Sequence, residues 1–483
     1  LQISGHEAGS GDMEVLRHWS TRHAFGLKRV YDACSRYAPY LGRVLCMVGP
    51  DRAERVLAPI EHASKALFFD CKMCGQCVLS STGMTCSLNC AKRMRNGPCG
   101  GVSPAGMCEV KPQMRCVWVE ATEGRKRIDP HGGQRAKALP PLDHRRAGRS
   151  TWIQVIDGAL SKQAPAASEP PERPREIHSF EQACRLGRFV VTVEVAPPDS
   201  ADPGVLIQHA ARFTGLVDAI NITDGAGGNC HMSSVAASAI LTQHGFTPVW
   251  QLTCRDRNRI AIQGEILGAA ALGIRNVLCL TGDDVSRGDQ PEAKPVFDLD
   301  SVSLLHIARK MRDGGTYNSG RKIAAPPNVF LGATINPFVP PFRDRIANMA
   351  QKIEAGARFI QTQFCFDVDA FADFMQAVRA RGLHQRATII VGVGTLSSAK
   401  ALRRMAQFVP GVSIPESLLR RIESAADQRA EGKAVLVETI RRLAEIEGVG
   451  GVHLMGYRNE DILAQAIVES GVRQPYGSVA LQA

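Results

Sequence analysis

Eight of the fifteen cysteines lie between positions 71 and 116. They are Cys71, Cys74, Cys77, Cys86, Cys90, Cys99, Cys108 and Cys116, and the first three are spaced C-x-x-C-x-x-C. Thiolate sulfur ligates zinc and iron well, and such density in a chain of 483 residues points to metal, since dense disulfides staple small secreted domains. Two readings of the eight ligands stay open. They suffice for two four-iron clusters, or for two zinc sites of four thiolates each that serve only to fold a segment with little core. Spacing does not say which four share a site. The other seven, Cys34, Cys46, Cys184, Cys230, Cys254, Cys279 and Cys365, sit mostly in apolar contexts and read as small buried hydrophobes.

A second set of reactive side chains stands at the ends of apolar runs. Glu194 closes Val191-Thr192-Val193-Glu194-Val195-Ala196-Pro197-Pro198, an acid among apolar neighbours. Desolvation raises a carboxyl's pKa, which would suit a proton donor; an ion-paired strand end is the plainer reading. Asp283 follows in Thr281-Gly282-Asp283-Asp284, where glycine permits a tight turn toward a ligand, although Gly-Asp is also ordinary turn chemistry. Gln363, in Gln361-Thr362-Gln363-Phe364-Cys365-Phe366-Asp367, offers an amide that could read the edge of a heterocycle or merely cap a loop.

The elements that must position these groups follow from periodicity. Residues 1–70 read as helical from Glu14, with apolar spacing of three and four in Val15–Val30 and Arg55–Phe68, broken at Pro39 and at Gly49-Pro50. Residues 71–120 form the cysteine-rich domain, where metal rather than a core fixes the backbone. Residues 121–178, charged and then carrying Pro165, Pro170, Pro171 and Pro174, read as a linker. From 179 to 483 short β-branched runs alternate with amphipathic stretches. Strands are expected at Phe189–Val195, Asp218–Thr223, Pro248–Thr253, Asn276–Leu280, Val329–Ile335, Arg358–Gln363, Thr388–Val393 and Gly451–Met455, with helices at Val235–Gln243, Ile260–Leu272, Ser301–Met311, Arg343–Ala355 and Ala370–Arg379. Eight such units suit an α/β fold of the closed (β/α)8 kind, whose active groups gather at the C-terminal ends of the strands. A doubly wound open sheet is the runner-up, but neither Gly225-Ala226-Gly227-Gly228 nor Gly392-Val393-Gly394 has the G-x-G-x-x-G spacing that would support it.

A 44% hydrophobic and 22% charged composition is that of a globular protein. No apolar run approaches a membrane span, and no leader pattern is seen, so a cytoplasmic location is expected with no membrane partner. The net charge of +11 is uneven: residues 1–180 hold 26 Lys and Arg against 17 Asp and Glu, and residues 181–483 hold 32 against 30. Most of the excess lies between Lys92 and Arg149. A basic stretch there could bind nucleic acid, dock an acidic protein or offset metal-bound thiolates; two four-iron clusters would add about four negative charges. Trp118 is the one aromatic from Cys71 to Arg149, which leaves little for base stacking, and no nucleic-acid partner is expected.

Taken in order, V-E-x-x-P-P at Glu194, T-G-D at Asp283, A-G-A-x-x-x-x-T-Q-F-x-F-D ending at Asp367 and H-L-M-G-Y-R ending at Arg458 resemble the methylenetetrahydrofolate reductase family over nearly all of residues 180–475. The resemblance implies a TIM barrel binding FAD and folate, a homo-oligomeric assembly, and interconversion of 5,10-methylenetetrahydrofolate and 5-methyltetrahydrofolate in either direction. It implies that Glu194 is the proton donor that helps open the methylene bridge, that Asp283 contacts the pterin and tunes the flavin, and that Gln363 binds the pterin. Thr223, Gln251, Thr281, Gly282, Thr334, Asn336, Lys352 and Ala357 match positions around FAD, and Arg458 and Ser398 positions near the substrate.

The departures are informative. Gln251 replaces a histidine, Arg345 replaces an acidic FAD contact, and Ser398 and Leu402 stand where NADH-using members have Gln and a stacking Phe. Poor use of NAD(P)H is therefore expected. The cysteine segment resembles the iron-sulfur accessory subunit found with methylenetetrahydrofolate reductases of acetogens, which implies two 4Fe-4S clusters relaying electrons from a ferredoxin-like partner. The competing class is a zinc-ribbon module binding nucleic acid or protein, with the barrel as scaffold.

Overall fold

A computed structural model describes residues 10–130, 138–153, 173–409, 411–456 and 458–473. Contacts divide it into two units: one holds the described residues up to Gly97 and again from Lys111 to Ile153, the other Pro98–Val110 and the described residues from 173 onward. The prolines 165, 170 and 171 of the expected linker lie outside the described residues.

The first unit is built on helices α1 (Ser10–Arg22), α2 (Ala24–Val48), α3 (Pro50–Phe69) and α4 (Val117–Ile128). Gly49, at φ 87°, and Pro50 end one helix and start the next, as expected, because proline supplies the first-turn φ and lacks a donor that has no partner there anyway. The break expected at Pro39 is absent: α2 runs through it. One missing backbone donor is a local loss, and helical turns on both sides carry the chain on. The cysteine stretch between α3 and α4 has no long regular element. The region read as a linker holds more structure than its composition implies. α4 reaches Ile128, and residues 150–152 are tied to α3 through Glu61, which accepts from Ser150 Oγ at 2.5 Å and from the Trp152 amide at 3.1 Å.

The second unit is a closed parallel barrel in sequential order, with β8 pairing β1. Its strands are β1 (Val190–Val195), β2 (Ala219–Ile222), β3 (Pro248–Thr253), β4 (Asn276–Leu280), β5 (Phe330–Ile335), β6 (Phe359–Phe364), β7 (Thr388–Gly394) and β8 (Val449–Met455). All eight expected strands are present within two residues, and closure excludes the open sheet. The outer helices are α5 (Ser179–Arg185), α6 (Pro203–Ala211), α7 (Ser234–Gln243), α8 (Arg259–Ala271), α9 (Ser301–Arg309), α10 (Phe342–Ala355), α11 (Val368–Arg379), α12 (Ala399–Phe408), α13 (Glu416–Ser424), α14 (Gln428–Ala444) and α15 (Glu460–Ser470).

The N-terminal end of the barrel is plugged. Phe180 of α5 meets Phe359 and Phe330 edge-on at 5.4 and 6.0 Å, and those two rings stack at 5.1 Å. Gly332 makes room for them, since a Cβ there would lie 2.2 Å from the Phe359 ring. Burying such rings stabilises the unit and leaves the opposite, C-terminal mouth as the open end. Among the described residues no helix is long and apolar enough to cross a membrane.

Candidate functional site

Strand direction places Glu194, Asp283 and Gln363 at the same mouth. Glu194 is the fifth residue of β1, Asp283 follows β4, and Gln363 is the fifth residue of β6. In a parallel barrel every C-terminal end opens on one face.

Alternation along β1 points Thr192 and Glu194 to the same side of the strand, into the barrel. The inward layer below the mouth is polar and internally satisfied. Asn221 and Gln361 exchange side-chain hydrogen bonds at 2.7 and 3.1 Å, Gln361 donates to Thr192 Oγ1 at 3.3 Å, and Thr192 pairs with His453 Nδ1 at 2.9 Å. His453 Nε2 in turn faces Glu194 Oε2 at 3.9 Å, and Gln251 Nε2 donates to that oxygen at 3.4 Å. The Glu194 side chain keeps 30% of its surface open, so it is held from below and reachable from above. Asn221, Gln361 and His453 were missed by sequence reasoning: Asn221 and His453 are lone polar residues in apolar strands, and Gln361 stands in one polar run with Gln363.

The loops after β2 and β4 are interlocked. Gly227 donates its amide to Asp283 Oδ2 at 2.9 Å. Gly282 adopts φ 97°, and a Cβ there would come within 3.0 Å of Thr253, so glycine is needed on both counts. Asp224, also unforeseen, is buried beside them and accepts from Arg257 at 2.7 and 3.2 Å, from Thr253 N and Oγ1 at 2.9 and 2.8 Å, and from Ser234 at 2.9 Å. Burial pushes its carboxyl up, but Arg257 and the Thr253 donors outweigh that and hold it below the usual carboxylate range. Next to it Thr223 is buried, with a hydroxyl that has no hydrogen-bond partner. An orphaned hydroxyl costs stability, so its presence at the mouth fits a ligand that supplies the missing partner.

Other matched positions are already engaged. Thr281 Oγ1 accepts from the Ser301 amide at 3.2 Å. Asn336 donates to the carbonyls of Gly100 and Gly411 at 2.9 and 2.8 Å. Ser398 caps α12, accepting from the Ala401 amide at 3.2 Å, and Leu402 packs in a core with Leu396, Leu419 and Ile422 instead of facing the mouth. Ala357, expected near FAD, is instead fully buried just before β6, at the plugged N-terminal end and away from the mouth, because it precedes the strand; Arg458 is exposed with φ 54°, and the side-chain oxygen of Gln363 accepts from the Phe364 amide at 3.0 Å. Arg345 is buried and spends its guanidinium on the carbonyls of Val339, Pro340 and Cys99.

Lys352 is buried and donates to the Thr334 carbonyl at 2.6 Å. Burial, then the Arg345 charge, pull its pKa down to about 8. The unfolded lysine titrates near its ordinary value of about 10.4, so between the two the native state binds fewer protons than the unfolded chain and stability rises with pH. Below pH 8 the full cost of a buried charge is present. In ligand-free protein, Lys352→Met is therefore expected to stabilise the fold at pH 7 by on the order of 2 kcal/mol, after the lost Thr334 bond is counted. The advantage should shrink toward pH 10. Urea unfolding of both proteins at the two pH values checks this, and a pH-independent difference would refute it.

In the first unit Cys71, Cys74, Cys77 and Cys86 line one recess that opens in part to solvent. Glu61, Lys65 and Thr151 form its wall. Burial, reinforced by the other thiols, pushes Cys86 up to about 12, and burial raises Cys71 as well. Four thiols lining one recess suit a shared cationic centre, whose charge favours their thiolate forms. Cys90 and Cys116 belong to the same unit but not to that lining, while Cys99 and Cys108 belong to the barrel unit. The structure thus gathers four of the eight expected ligands. Among the described residues no three His, Cys, Asp or Glu side chains converge tightly enough to hold a single metal ion, and no disulfide joins the cysteines. Of the seven scattered cysteines, Cys184, Cys254, Cys279 and Cys365 are buried as expected, Cys34 and Cys230 are exposed, and the side chain of Cys46 lies outside the described residues.

Comparison with known proteins gives this geometry a family. The family described as Methylenetetrahydrofolate reductase matches residues 179–471, the whole barrel. The chain belongs to the methylenetetrahydrofolate reductase family. A second family, described as Methylene-tetrahydrofolate reductase C terminal, matches residues 51–145. Methylenetetrahydrofolate reductase 2 of Schizosaccharomyces pombe is 29% identical over 262 residues, covering 52% of this chain and 40% of that one. The 5,10-methylenetetrahydrofolate reductase of Pectobacterium carotovorum is 24% identical over 294 residues, 59% of this chain and 92% of that one. Methylenetetrahydrofolate reductase (NADH) 1 of Arabidopsis thaliana is 27% identical over 289 residues, 58% and 48% of the two chains. The chain thus spans about two fifths of the length of the S. pombe protein. A solved Clostridium thermocellum protein, described as binding two copies of 5-methyl-5,6,7,8-tetrahydrofolic acid, aligns with TM-score 0.45 and 16% identity over 60% of this chain and 97% of that one.

Proposed function

We propose that this chain is an enzyme that interconverts 5,10-methylenetetrahydrofolate and 5-methyltetrahydrofolate at the C-terminal mouth of its barrel, with electrons reaching or leaving the site through iron-sulfur centres in the cysteine segment. The observation that carries the reading is the carboxylate of Glu194, half-open at the mouth and held by Gln251 and, farther off, His453. Glu194 delivers or accepts the proton at the folate amine. Asp283 and Gln363 orient the pterin, and Arg458 and Ser398 flank the substrate. Thr223, whose hydroxyl has no partner, would take a hydrogen bond from or give one to FAD, and Gln251, Thr281, Gly282, Thr334, Asn336 and Lys352 would surround that cofactor. When bound, the flavin supplies hydride transfer on one side and single-electron exchange on the other.

Four thiols line one recess, the ligand number that a four-iron cluster takes. Cys71, Cys74, Cys77 and Cys86 would hold one such cluster. A ferredoxin-like protein is the proposed electron partner, since Leu402 is turned into the core and offers no surface to a nicotinamide ring.

Anaerobically purified protein is expected to absorb at about 450 nm with a broad shoulder, the signature of flavin with iron-sulfur centres, and to turn over folate with a low-potential donor. Zinc as the only metal would remove the relay. Flavin with no folate turnover would overturn the reaction.

A further inference from the structure

Within the wall of the cysteine recess lies a charge that the reading above leaves unused. Lys65, on α3, lines the recess together with the four thiols and is 7% exposed. It is held in place on every side: it donates to Glu61 and, at 2.8 Å, to Thr151 Oγ1, and it lies 5.7 Å above the Trp152 ring. Glu61, 1% exposed, also accepts from Ser150, Thr151 and the Trp152 amide. The other cations lining the recess differ. Lys72 is half-exposed and paired with Asp70 at 2.6 Å, and Arg149 is exposed, so solvent screens both. An ammonium fixed behind the thiols in low dielectric acts on them with far less screening.

Resting on the iron-sulfur reading of Cys71, Cys74, Cys77 and Cys86, we propose that Lys65 is the positioning residue that sets the reduction potential of the cluster in this recess, with Glu61 tempering it. Reduction adds one electron from a chemical donor such as dithionite to the cluster and forms or breaks no bond. The added negative charge is stabilised by a buried cation and opposed by a buried anion, and net charge around the sulfurs is one of the levers on such potentials. Removing Lys65's charge must therefore disfavour reduction. Removing Glu61's charge must favour it.

The test is a redox titration of the holoprotein followed by electron paramagnetic resonance, with iron counted in each sample. Lys65→Met is expected to lower the reduced-to-oxidised ratio of this cluster at least tenfold at fixed potential, a shift of about 59 mV for one electron. Glu61→Gln is expected to move it the other way. Lys72→Met, which removes an exposed charge, should shift it much less. Loaded variants with unchanged potentials, shifts of the same sign in the Lys65 and Glu61 variants, or loss of iron from both would overturn the proposal and leave the pair a structural tie. A Lys72→Met shift equal to that of Lys65→Met would overturn the claim that burial singles out Lys65. Wild-type protein holding zinc and no iron would instead sink the reading on which the proposal rests, before any variant is compared.

Discussion

Glu194→Gln is expected to lower folate turnover by about 10² to 10⁴ while flavin remains bound, the range lost when a positioned general acid is removed. The substitution keeps the shape and the hydrogen bond with Gln251, whose amide donates to Glu194 at 3.4 Å, so little packing changes. What disappears is the only carboxyl proton on β1 at the mouth. Gln251 cannot replace it, because a neutral amide does not exchange a proton at useful pH. His453 could, being 3.9 Å from the same oxygen, but its other nitrogen is tied to Thr192 and it is buried below the mouth. The experiment is steady-state formation of 5-methyltetrahydrofolate by the wild type, Glu194→Gln and His453→Gln, with flavin content and melting temperature measured alongside. Loss of flavin or of stability in the Glu194 variant would mark a structural carboxylate. Full activity there, with loss in the histidine variant, would transfer the role to His453.

Much of the barrel was legible because its signals are local. Pro248–Thr253 and Asn276–Leu280 appear with the expected bounds, since each is a run of apolar residues closed by turn residues. β6 runs one residue further than expected, through an irregular register between Gln361 and Phe364 that no local pattern announces. The helix expected to reach Met311 gives way after Arg309 to a wider π turn ended by Gly315 at φ 60°. The mouth was legible where residues stand at strand ends, as with Glu194, Asp283 and Gln363. It was not legible where partners are far apart in the chain: Asn221 and Gln361 satisfy each other across 140 residues, and Thr192 and His453 across 261. The cysteine run shows the same limit. Nothing in its spacing marks a boundary, yet the chain passes from one unit to the other within it.

That passage leads to the second large effect. Residues 98–110 belong with the barrel, and the ties are specific: Asn336 donates to the Gly100 carbonyl, and Arg345 of α10 donates to those of Cys99, Val339 and Pro340. Gly411, at φ 73°, completes the junction, since a Cβ there would lie 2.3 Å from the Gly100 carbonyl. Arg345 is 1% exposed, so Arg345→Met leaves buried acceptors without donors, at about 1 to 3 kcal/mol each. A loss of on the order of 3 to 5 kcal/mol is expected, allowing for partial relaxation. Arg345→Lys should recover only part of it, because an ammonium has no planar fork to reach three carbonyls at once. The loss should be local as well as global, with the amides of residues 98–110 exchanging hydrogen faster than the barrel strands. Urea unfolding and hydrogen exchange read the two effects separately. A lower flavin affinity with residues 98–110 still protected would mean that Arg345 serves the cofactor directly, as its match to an acidic FAD contact suggests. A destabilised protein whose cysteine segment exchanges first would mean that this guanidinium fastens the cysteine loop to the barrel.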